Sequence, residues 1–275
     1  MSRQSAFATR WGGKWALVTG ASAGIGLALA EELAAANTNL VLTARRKDRL
    51  ESLAARLRSA HGVKVEVLPA DLANPAAPGE IRSFTQSKSL EIELLINNAG
   101  FGSYGRFYEC DLPRQLEMIQ VNCAAVIHLT HLYLGEMVAR RHGDILIVAS
   151  VAGFQAVPYV STYAATKAFD LRFAEGIAEE VRRYGVHVCA LCPGSTTTEF
   201  REVAGQPART FRGAESAEKV ARVGLRALVA GKSSIISGLK NTLSVEGQRL
   251  APRSFVSRVA AGMFDPGNRK DDCHV

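Results

Sequence analysis

Residues 14–26 read KWALVTGASAGIG, an apolar run that passes directly into a glycine-rich turn. A helical pattern follows at once over residues 25–36. Glycines let the backbone turn tightly and approach a pyrophosphate that lies at the N-terminus of a helix. A glycine-rich turn alone is weak evidence, but its position after the first predicted strand favours a dinucleotide site.

Working outward from this stretch, short apolar runs alternate with longer amphipathic segments. Such alternation predicts an α/β fold: a doubly wound, Rossmann-like parallel sheet in a single domain, with helices on both faces. We expect a dinucleotide-binding and catalytic domain over residues 1–240 and a helical C-terminal extension over residues 241–275. The predicted strands cover residues 14–19, 40–44, 63–68, 92–97, 144–149, 186–192 and 233–237, and the predicted helices cover residues 25–36, 48–60, 77–87, 113–140, 161–184 and 216–230.

The composition is that of an ordinary globular protein, with 275 residues, 47% hydrophobic and 21% charged. No run of about eighteen apolar residues predicts a membrane span, and the N-terminus makes a poor secretory signal. The five cysteines are odd in number and scattered. Cys189 and Cys192 form a CxxC inside a strand-like run, which is typical of core residues. We therefore expect reduced cysteines and a cytoplasmic protein.

The formal net charge of +7 is concentrated towards the C-terminus. From residue 201 onward there are 13 Lys and Arg against 7 Asp and Glu. No aromatic residues interleave with these bases in a nucleic-acid-binding module, so no nucleic-acid partner is expected. A solvated basic surface, an acidic substrate and an anionic membrane surface all remain open.

The extension carries apolar residues at helical spacing, with arginines among them. This pattern fits a helix packed on its own subunit or on a partner subunit, and also an amphipathic helix in peripheral contact with a membrane. Its last residues, 265–275, are polar and are expected to be disordered. The residues in question are Leu250, Phe255, Val256, Val259, Ala260 and Met263, with Arg249, Arg253 and Arg258 between them.

The spacing of the turn is TGxxxGxG rather than GxGxxG, and further landmarks follow the later strands in order. With these landmarks the chain resembles the short-chain dehydrogenase/reductase family from about residue 14 to residue 198. Beyond residue 198 the similarity is loose, as in a family whose substrate region varies. The landmarks are Asp71-Leu72, Asn97-Asn98-Ala99-Gly100, Asn122, Ser150, Tyr163-x-x-x-Lys167, and Pro193-Gly194 with Thr196 and Thr198.

The resemblance implies a site for a nicotinamide dinucleotide at the carboxyl ends of the strands. It places Asp71 and Leu72 at the adenine and the polar turn 98–100 at the adenosine ribose, although the turn 97–100 could equally brace the sheet. Thr196 and Thr198 are expected at the nicotinamide amide. The full predicted set is Gly20, Ser22, Gly24, Ile25, Gly26, Arg45, Arg46, Asp71, Leu72, Asn98, Ala99, Gly100, Tyr163, Lys167, Pro193, Gly194, Thr196 and Thr198.

The choice between NAD and NADP depends on the end of the second predicted strand. A carboxylate there accepts from the ribose 2′-hydroxyl, whereas the 2′-phosphate of NADP requires a cation. The chain has Arg45, Arg46 and Lys47 and no acid until Asp48. A guanidinium meets a phosphate bidentately. We predict NADP(H), with Arg45, Arg46 and Ser22 on the phosphate; a solvated basic start of the helix is the alternative.

Hydride transfer to a carbonyl leaves an alkoxide that needs a proton, and oxidation needs the reverse. Tyr163 and Lys167 are four residues apart in a helical pattern, so a cation on the same face can lower the pKa of the phenol. The hydroxyl of Ser150, at a strand end, could polarise the substrate oxygen. The resemblance implies that Asn122 supports a water-linked proton path to the lysine. None of the six histidines has metal-ligand spacing, so we expect no metal.

The predicted function is therefore hydride transfer between NADPH and a small-molecule carbonyl or secondary alcohol, such as a ketoacyl, steroid-like or other apolar ketone. A non-catalytic, redox-sensing dinucleotide binder is the alternative, but Ser150, Tyr163 and Lys167 together argue against it. A nucleotide-sugar epimerase or dehydratase would have a different glycine spacing.

Two further features concern the surroundings of the site. The polar segment 199–213 could form a lid over the substrate, with Phe200 and Phe211 on its inner face or else in the core. The predicted helix 161–184 is apolar over most of its girth, which indicates burial on two sides. Together with the helix 113–140 it predicts a homodimer or homotetramer.

Overall fold

The computed structural model describes residues 3–207 and 213–267. Phe211 and residues 268–275, including most of the polar tail, lie outside the described residues. Parallel strands form a seven-stranded sheet in the order β3-β2-β1-β4-β5-β6-β9. Its strands are β1 (Trp15–Thr19), β2 (Asn39–Ala44), β3 (Val65–Pro69), β4 (Ile92–Asn97), β5 (Gly143–Val148), β6 (Val186–Cys192) and β9 (Ser234–Ile236). The two-residue strands β7 (Thr196–Thr197) and β8 (Glu215–Ser216) pair separately.

Helices cover both faces of this sheet, because successive side chains of each buried strand point to opposite faces. Val18 and Leu29 belong to the buried cluster on one face, and Leu17 and Leu171 belong to the cluster on the other. The predicted α/β class and the single Rossmann-like domain are thus confirmed. The helices are α1 (Arg3–Trp11), α2 (Gly24–Ala35), α3 (Lys47–His61), α4 (Ala77–Ser87), α5 (Leu112–Ile119), α6 (Ala125–Arg140), α7 (Ser161–Val181), α8 (Phe200–Val203), α9 (Ala217–Val229), α10 (Leu239–Gln248) and α11 (Arg253–Phe264).

The predicted continuous helix over residues 113–140 is wrong in one respect. A π-helical turn, Gln120–Ala124, separates α5 from α6. Asn122 lies in this turn and is fully buried, with its side chain hydrogen-bonded to the backbone of Phe101 and to Thr166. A wider turn changes the direction of the side chains and is found at functional positions in helices. Helical periodicity alone does not reveal such a turn.

The helix α1 was not predicted from the sequence. It packs beneath the sheet, where Trp11 is fully buried and its Nε1 donates to Asp144 Oδ2 at 2.7 Å. The Arg10 guanidinium donates to both oxygens of the same carboxylate. These contacts lie at the amino end of β5. The helix α1 therefore packs at the amino ends of the strands, whereas the predicted site residues follow their carboxyl ends.

Candidate active site

A cleft of about 570 Å³ opens at the carboxyl ends of the strands, on both sides of the boundary between β1 and β4. The order of the strands reverses at this boundary, where doubly wound sheets bind ligands. Nearly all predicted site residues line this one cleft, and only Gly26 and Asn122 lie beneath its surface. The predicted residues that line it are Gly20, Ser22, Gly24, Ile25, Arg45, Arg46, Asp71, Leu72, Asn98, Ala99, Gly100, Ser150, Tyr163, Lys167, Pro193, Gly194, Thr196 and Thr198.

The glycines of the first turn are required by its geometry. Gly20 and Gly24 have φ of 66° and 58°, which L side chains rarely adopt. A Cβ on Gly26 would lie 2.4 Å from both Asn98 Nδ2 and the Gly20 carbonyl oxygen. The turn therefore presents bare backbone at the N-terminus of the 12-residue helix α2. Such a surface suits a pyrophosphate.

The turn after β4 braces the sheet and lines the cleft at the same time. The Asn98 side chain donates to the Thr19 carbonyl at 2.8 Å, and the backbone amides of Asn98 and Ala99 donate to Thr19 Oγ1. These bonds join the carboxyl ends of β1 and β4. Both readings of this turn from the sequence are therefore compatible with the structure. Asp71 is exposed at the edge of the cleft and Leu72 is buried beside it.

Arginines stand at the end of β2, where the sequence predicts the site of the 2′-phosphate. Arg46 donates to Ser22 Oγ through Nε at 3.3 Å and through Nη2 at 3.1 Å. Its Nη1 lies 2.7 Å from Glu199 Oε2, and Arg49 binds the other oxygen of Glu199. Arg45 lies 3.9 Å from Glu117. The sequence did not reveal the Arg49–Glu199 pair, because these two residues are 150 positions apart in the chain.

Ser150 follows β5 and is 8% exposed. Its Oγ accepts a hydrogen bond from the Ala152 amide at 3.1 Å and lies 3.4 Å from the Pro193 carbonyl. The hydroxyl is thereby held at the floor of the cleft, close to the segment that follows β6. A fixed hydroxyl of this kind can donate to a substrate oxygen.

Tyr163 and Lys167 lie on the first two turns of α7 and share its cleft-facing side. Lys167 Nζ is 5.9 Å from the centroid of the Tyr163 ring. It donates to the Val148 carbonyl at 2.7 Å and to Asp170 Oδ2 at 2.9 Å. Phe200 of α8 packs on the other side of the phenol, with 5.1 Å between the ring centroids. The two side chains thus lie between the sheet and α8.

The pKa of Tyr163 is raised from its ordinary value, mainly because burial disfavours the phenolate. The ammonium of Lys167 and a hydrogen bond with Ser150 lower this pKa, and Asp170 raises it. Lys167 therefore lowers the pKa of Tyr163, as the sequence predicts, but burial raises this pKa by more. Burial lowers the pKa of Lys167, yet Asp170 and Tyr163 reverse this and the net direction is upward. The pair is held in its protonated form.

Asn122 does not reach the cleft surface. Its Oδ1 accepts from the Phe101 amide at 3.1 Å and its Nδ2 donates to the Phe101 carbonyl at 2.9 Å. A Cβ on Gly100 would lie 3.0 Å from Asn122 Oδ1 and 3.5 Å from Lys167 Nζ. The Asn122 side chain therefore fixes the loop 100–101, which lies between Asn122 and Lys167. The π-helical turn sets the position of Asn122.

The segment after β6 forms the opposite wall. Thr196 Oγ1 donates to the Gly194 carbonyl at 3.1 Å, and Thr198 Oγ1 accepts from the Phe200 amide at 3.2 Å. A Cβ on Gly194 would lie 2.5 Å from Asn241 Nδ2, so α10 closes directly over this glycine. The strand pair β7 and β8 holds the segment in place.

The last two helices complete the cleft, which the sequence did not predict. Val245 of α10 and Ala260, Met263 and Phe264 of α11 line it. Ala260 is 2% exposed, and the Tyr104 hydroxyl donates to the Phe264 carbonyl at 2.7 Å. The C-terminal helix α11 therefore packs on its own subunit. Its outer side remains exposed, with Phe255 and Val259 each at least 50% accessible.

Among the described residues, one group has the geometry of potential metal ligands: Glu91, Glu93 and His142. It lies at the amino end of β4, remote from the cleft. Glu93 already forms ion pairs with Lys14 and Arg140 and accepts a 2.8 Å contact from His142. In the part of the chain that the structure describes, no helix is both long and apolar enough to cross a bilayer.

Comparisons with known proteins agree with this arrangement. Residues 14–208 match the family described as short chain dehydrogenase. A very-long-chain 3-oxoacyl-CoA reductase of Phaeosphaeria nodorum is 34% identical over 197 residues, which are 70% of this chain and 57% of the reductase. The chain thus spans little more than half the length of such curated relatives. A 7beta-hydroxysteroid dehydrogenase of Clostridium sardiniense is 34% identical over 68% of this chain and 70% of its own length.

Solved structures give the same result. A short-chain dehydrogenase from Sphingobium yanoikuyae in complex with NADPH has a TM-score of 0.80 and 33% identity, and the match covers 89% of this chain and 95% of that one. A short chain dehydrogenase/reductase from Burkholderia phymatum in complex with NAD has a TM-score of 0.79 and 25% identity, covering 88% and 94%. The present chain belongs to the short-chain dehydrogenase/reductase family of oxidoreductases.

Proposed function

We propose that this protein is an NADPH-dependent oxidoreductase that transfers a hydride between the nicotinamide and a carbonyl or secondary alcohol. Tyr163 is the acid/base, Lys167 supports its ionisation, Ser150 polarises the substrate oxygen and Asn122 supports the proton path. The observation that carries the proposal is the convergence of Ser150, Tyr163 and Lys167 on one cleft, beside a glycine turn that exposes backbone at a helix N-terminus.

The bound cofactor would supply the hydride and, in its oxidised form, a positively charged ring. The protein must hold the substrate oxygen and move one proton. In ketone reduction Ser150 donates a hydrogen bond to the carbonyl oxygen, and the Tyr163 hydroxyl gives its proton to the developing alkoxide. Lys167 stabilises the phenolate that remains. The raised pKa of Tyr163 keeps the phenol protonated at neutral pH, which is the form that reduction requires.

The preference for NADP(H) is supported by the charges at the end of β2. Arg45, Arg46 and Ser22 line the cleft, and Arg46 already binds Ser22. No carboxylate of β2 stands there to accept from a ribose hydroxyl. Glu199 is held by Arg46 and Arg49, so the arginines present enough positive charge at this point to fix an anionic group. A 2′-phosphate is an anion of the required kind.

The substrate side of the cleft supports an apolar substrate. The cleft lining includes the apolar residues Val157, Val160, Phe200, Val203, Met263 and Phe264, and Phe200 packs on the Tyr163 ring. The uncharged polar residues of the lining include Gln155, Gln206, Asn241, Ser244 and Gln248. Burial of an unpaired charge there would be costly. We therefore propose steroid-like or ketoacyl substrates, or other bulky apolar ketones, with residues 241–275 serving as a substrate-side extension of the domain 1–240.

A panel of carbonyl compounds tests the proposed function. We expect NADPH oxidation with bulky apolar ketones, steroids or ketoacyl thioesters, and much slower oxidation with open-chain sugars. Burying about 100 Å² more apolar surface is worth about 2.5 kcal/mol, or about 70-fold in kcat/KM. The measurement is the loss of NADPH absorbance under matched conditions. Equal rates with sugars and steroids would refute the proposed substrate class.

We further propose a homodimer or homotetramer built on α5, α6 and α7. Large apolar side chains on α5 and α6 are exposed in the single chain: Leu112, Leu116, Ile119 and Ile127. Several apolar residues of α7 are buried, whereas Ala168, Phe173 and Ile177 are half-buried. A contiguous apolar face of this kind indicates an interface. The buried set is Ala164, Leu171, Ala174, Ala178 and Val181.

Light scattering at micromolar concentration tests the assembly. We expect a particle of at least twice the 29.5 kDa chain mass. Leu116→Glu should reduce it to the monomer, because a charge would be buried in the interface. Leu250→Glu serves as the control, since Leu250 is 92% exposed outside this face. A clean 29.5 kDa particle for the unmodified protein would rule the assembly out.

A further inference from the structure

Asp170 is a carboxylate buried directly beneath the acid/base pair. It lies on α7, three residues after Lys167, and its side chain has no exposed surface. Its Oδ2 accepts from Lys167 Nζ at 2.9 Å, while the lysine side chain itself is only 7% exposed. Both charges are therefore removed from solvent, and their distance is that of a charge-assisted hydrogen bond.

Stability does not account for this carboxylate. Its second oxygen, Oδ1, is buried and has no hydrogen-bond partner among the described residues. A buried polar atom left unpaired costs free energy, and a buried ion pair seldom stabilises a fold more than apolar residues of the same volume would. A charged residue retained in such a position points to a role in the chemistry of its partner.

Asp170 also restricts the position of the Lys167 ammonium group. An ammonium group has three N–H donors. Lys167 gives one to the Val148 carbonyl and one to Asp170. The remaining N–H is therefore left for the cleft, on the side of the Tyr163 ring. Asp170 and the end of β5 together fix the direction of that donor.

We propose that Asp170 is a positioning residue that anchors the Lys167 ammonium and, by offsetting its charge, keeps the Tyr163–Lys167 pair in the doubly protonated form that ketone reduction needs. This inference rests on the proposed function and adds a residue to it. The carboxylate acts through the lysine and does not touch the substrate.

The other titratable groups around the pair do not supply this charge. Cys123 of the π-helical turn and Cys192 of β6 face it, and burial raises the pKa of each thiol to about 12. Both are therefore neutral over the accessible pH range. Glu175 lies further along α7, where it binds Arg172 and accepts from Ser234. Asp170 is the anion in direct contact with the lysine.

The electrostatic consequence has a definite sign. Tyr163 and Lys167 interact strongly, so their protons are lost from the pair as a unit rather than from one residue alone. A nearby negative charge makes loss of the first proton harder, whichever group gives it up. Replacing Asp170 by a neutral residue must therefore lower the pH at which the pair loses its first proton. The pKa of Asp170 is raised, mainly because burial disfavours the carboxylate, and Lys167 opposes that rise without reversing it. The 2.9 Å contact with the ammonium is the interaction that favours the charged carboxylate.

The variant Asp170→Asn tests the proposal through the pH profile of kcat/KM for ketone reduction. We expect the alkaline limb of the profile to move to lower pH by about one unit, the lower end of the range for a neighbouring charge. Asp170→Ala removes the same charge in case the asparagine variant fails to fold, with the same expected shift. Glu179→Gln removes a carboxylate from the exposed side of the same helix, where it pairs with Arg182, and should leave the profile unchanged.

A second readout is independent of any substrate. In protein labelled with ¹³C at tyrosine Cζ and lysine Cε, the signals of Tyr163 and Lys167 are assigned with Tyr163→Phe and Lys167→Arg. The first loss of a proton from the pair should occur at lower pH in Asp170→Asn than in the unmodified protein. If no ketone is reduced, the proposed function fails while this titration still reports on Asp170. A titration and a profile that superimpose on those of the unmodified protein, or move to higher pH, would overturn the inference.

Discussion

Tyr163→Phe is expected to retain the fold and the affinity for NADPH while losing about 10²–10⁴-fold in kcat for ketone reduction, the range attributed to a positioned acid. The substitution removes only the hydroxyl, and the ring keeps its packing against Phe200. The measurement is steady-state reduction combined with NADPH binding by nicotinamide fluorescence. Lys167→Ala should also lose most of its kcat, because the Tyr163 phenolate is then no longer stabilised by the lysine ammonium.

Tyr108→Phe is the matched control, since Tyr108 is 81% exposed and is not among the residues that line the cleft. It should keep full activity. Near-normal turnover in Tyr163→Phe would refute the assignment of the acid. Loss of NADPH binding in the same variant would instead indicate that the hydroxyl is needed to form the site.

The double variant Arg45→Gln/Arg46→Gln should weaken NADPH by ten- to several-hundred-fold and NADH only slightly. A charge-assisted contact is worth about 1.5–3 kcal/mol, and exposure reduces this. Arg46 is 44% exposed, and it must also leave Glu199 to bind a phosphate. Solvent exposure and the competing contact with Glu199 both make the expected loss of NADPH binding free energy smaller than the sum for two such contacts. Dissociation constants for the two cofactors give the ratio directly.

Arg56→Gln provides the control for charge. Arg56 lies on α3, the helix that follows these arginines, and pairs with Glu31 away from the cleft. It should change neither affinity. An equal loss for NADPH and NADH in the double variant would mean that Arg45 and Arg46 hold the local structure rather than the 2′-phosphate.

Much of the fold could be predicted because the apolar runs of the parallel strands are continuous. A strand buried on both faces leaves this signature in the sequence, and each of the seven predicted runs corresponds to a strand of the sheet. The landmarks of the cleft followed from their position after such strands. Because the strands are parallel, residues that follow β1, β4, β5 and β6 meet at one edge without any long-range information.

What the sequence did not predict depends on contacts between remote segments. The helix α1 is held by Asp144, an acid inside a strand whose partners are more than 130 residues away. Glu199 reaches Arg46 and Arg49 across the cleft, and α10 and α11 line a cleft made by earlier elements. Asp170 did leave a signal in the sequence, because it places a charge on the buried side of a predicted helix.

Hydride transfer from a nicotinamide to a carbonyl carbon is the reaction that we propose for this cleft. It is tested most directly with NADPH dideuterated at the nicotinamide 4-position and a bulky apolar ketone. Mass spectrometry of the product should show an alcohol with one deuterium on the carbinol carbon, and Tyr163→Phe should yield little of it. A protein that binds the deuterated NADPH but transfers no deuterium to any ketone of the panel would contradict the claim and leave a dinucleotide binder without catalysis.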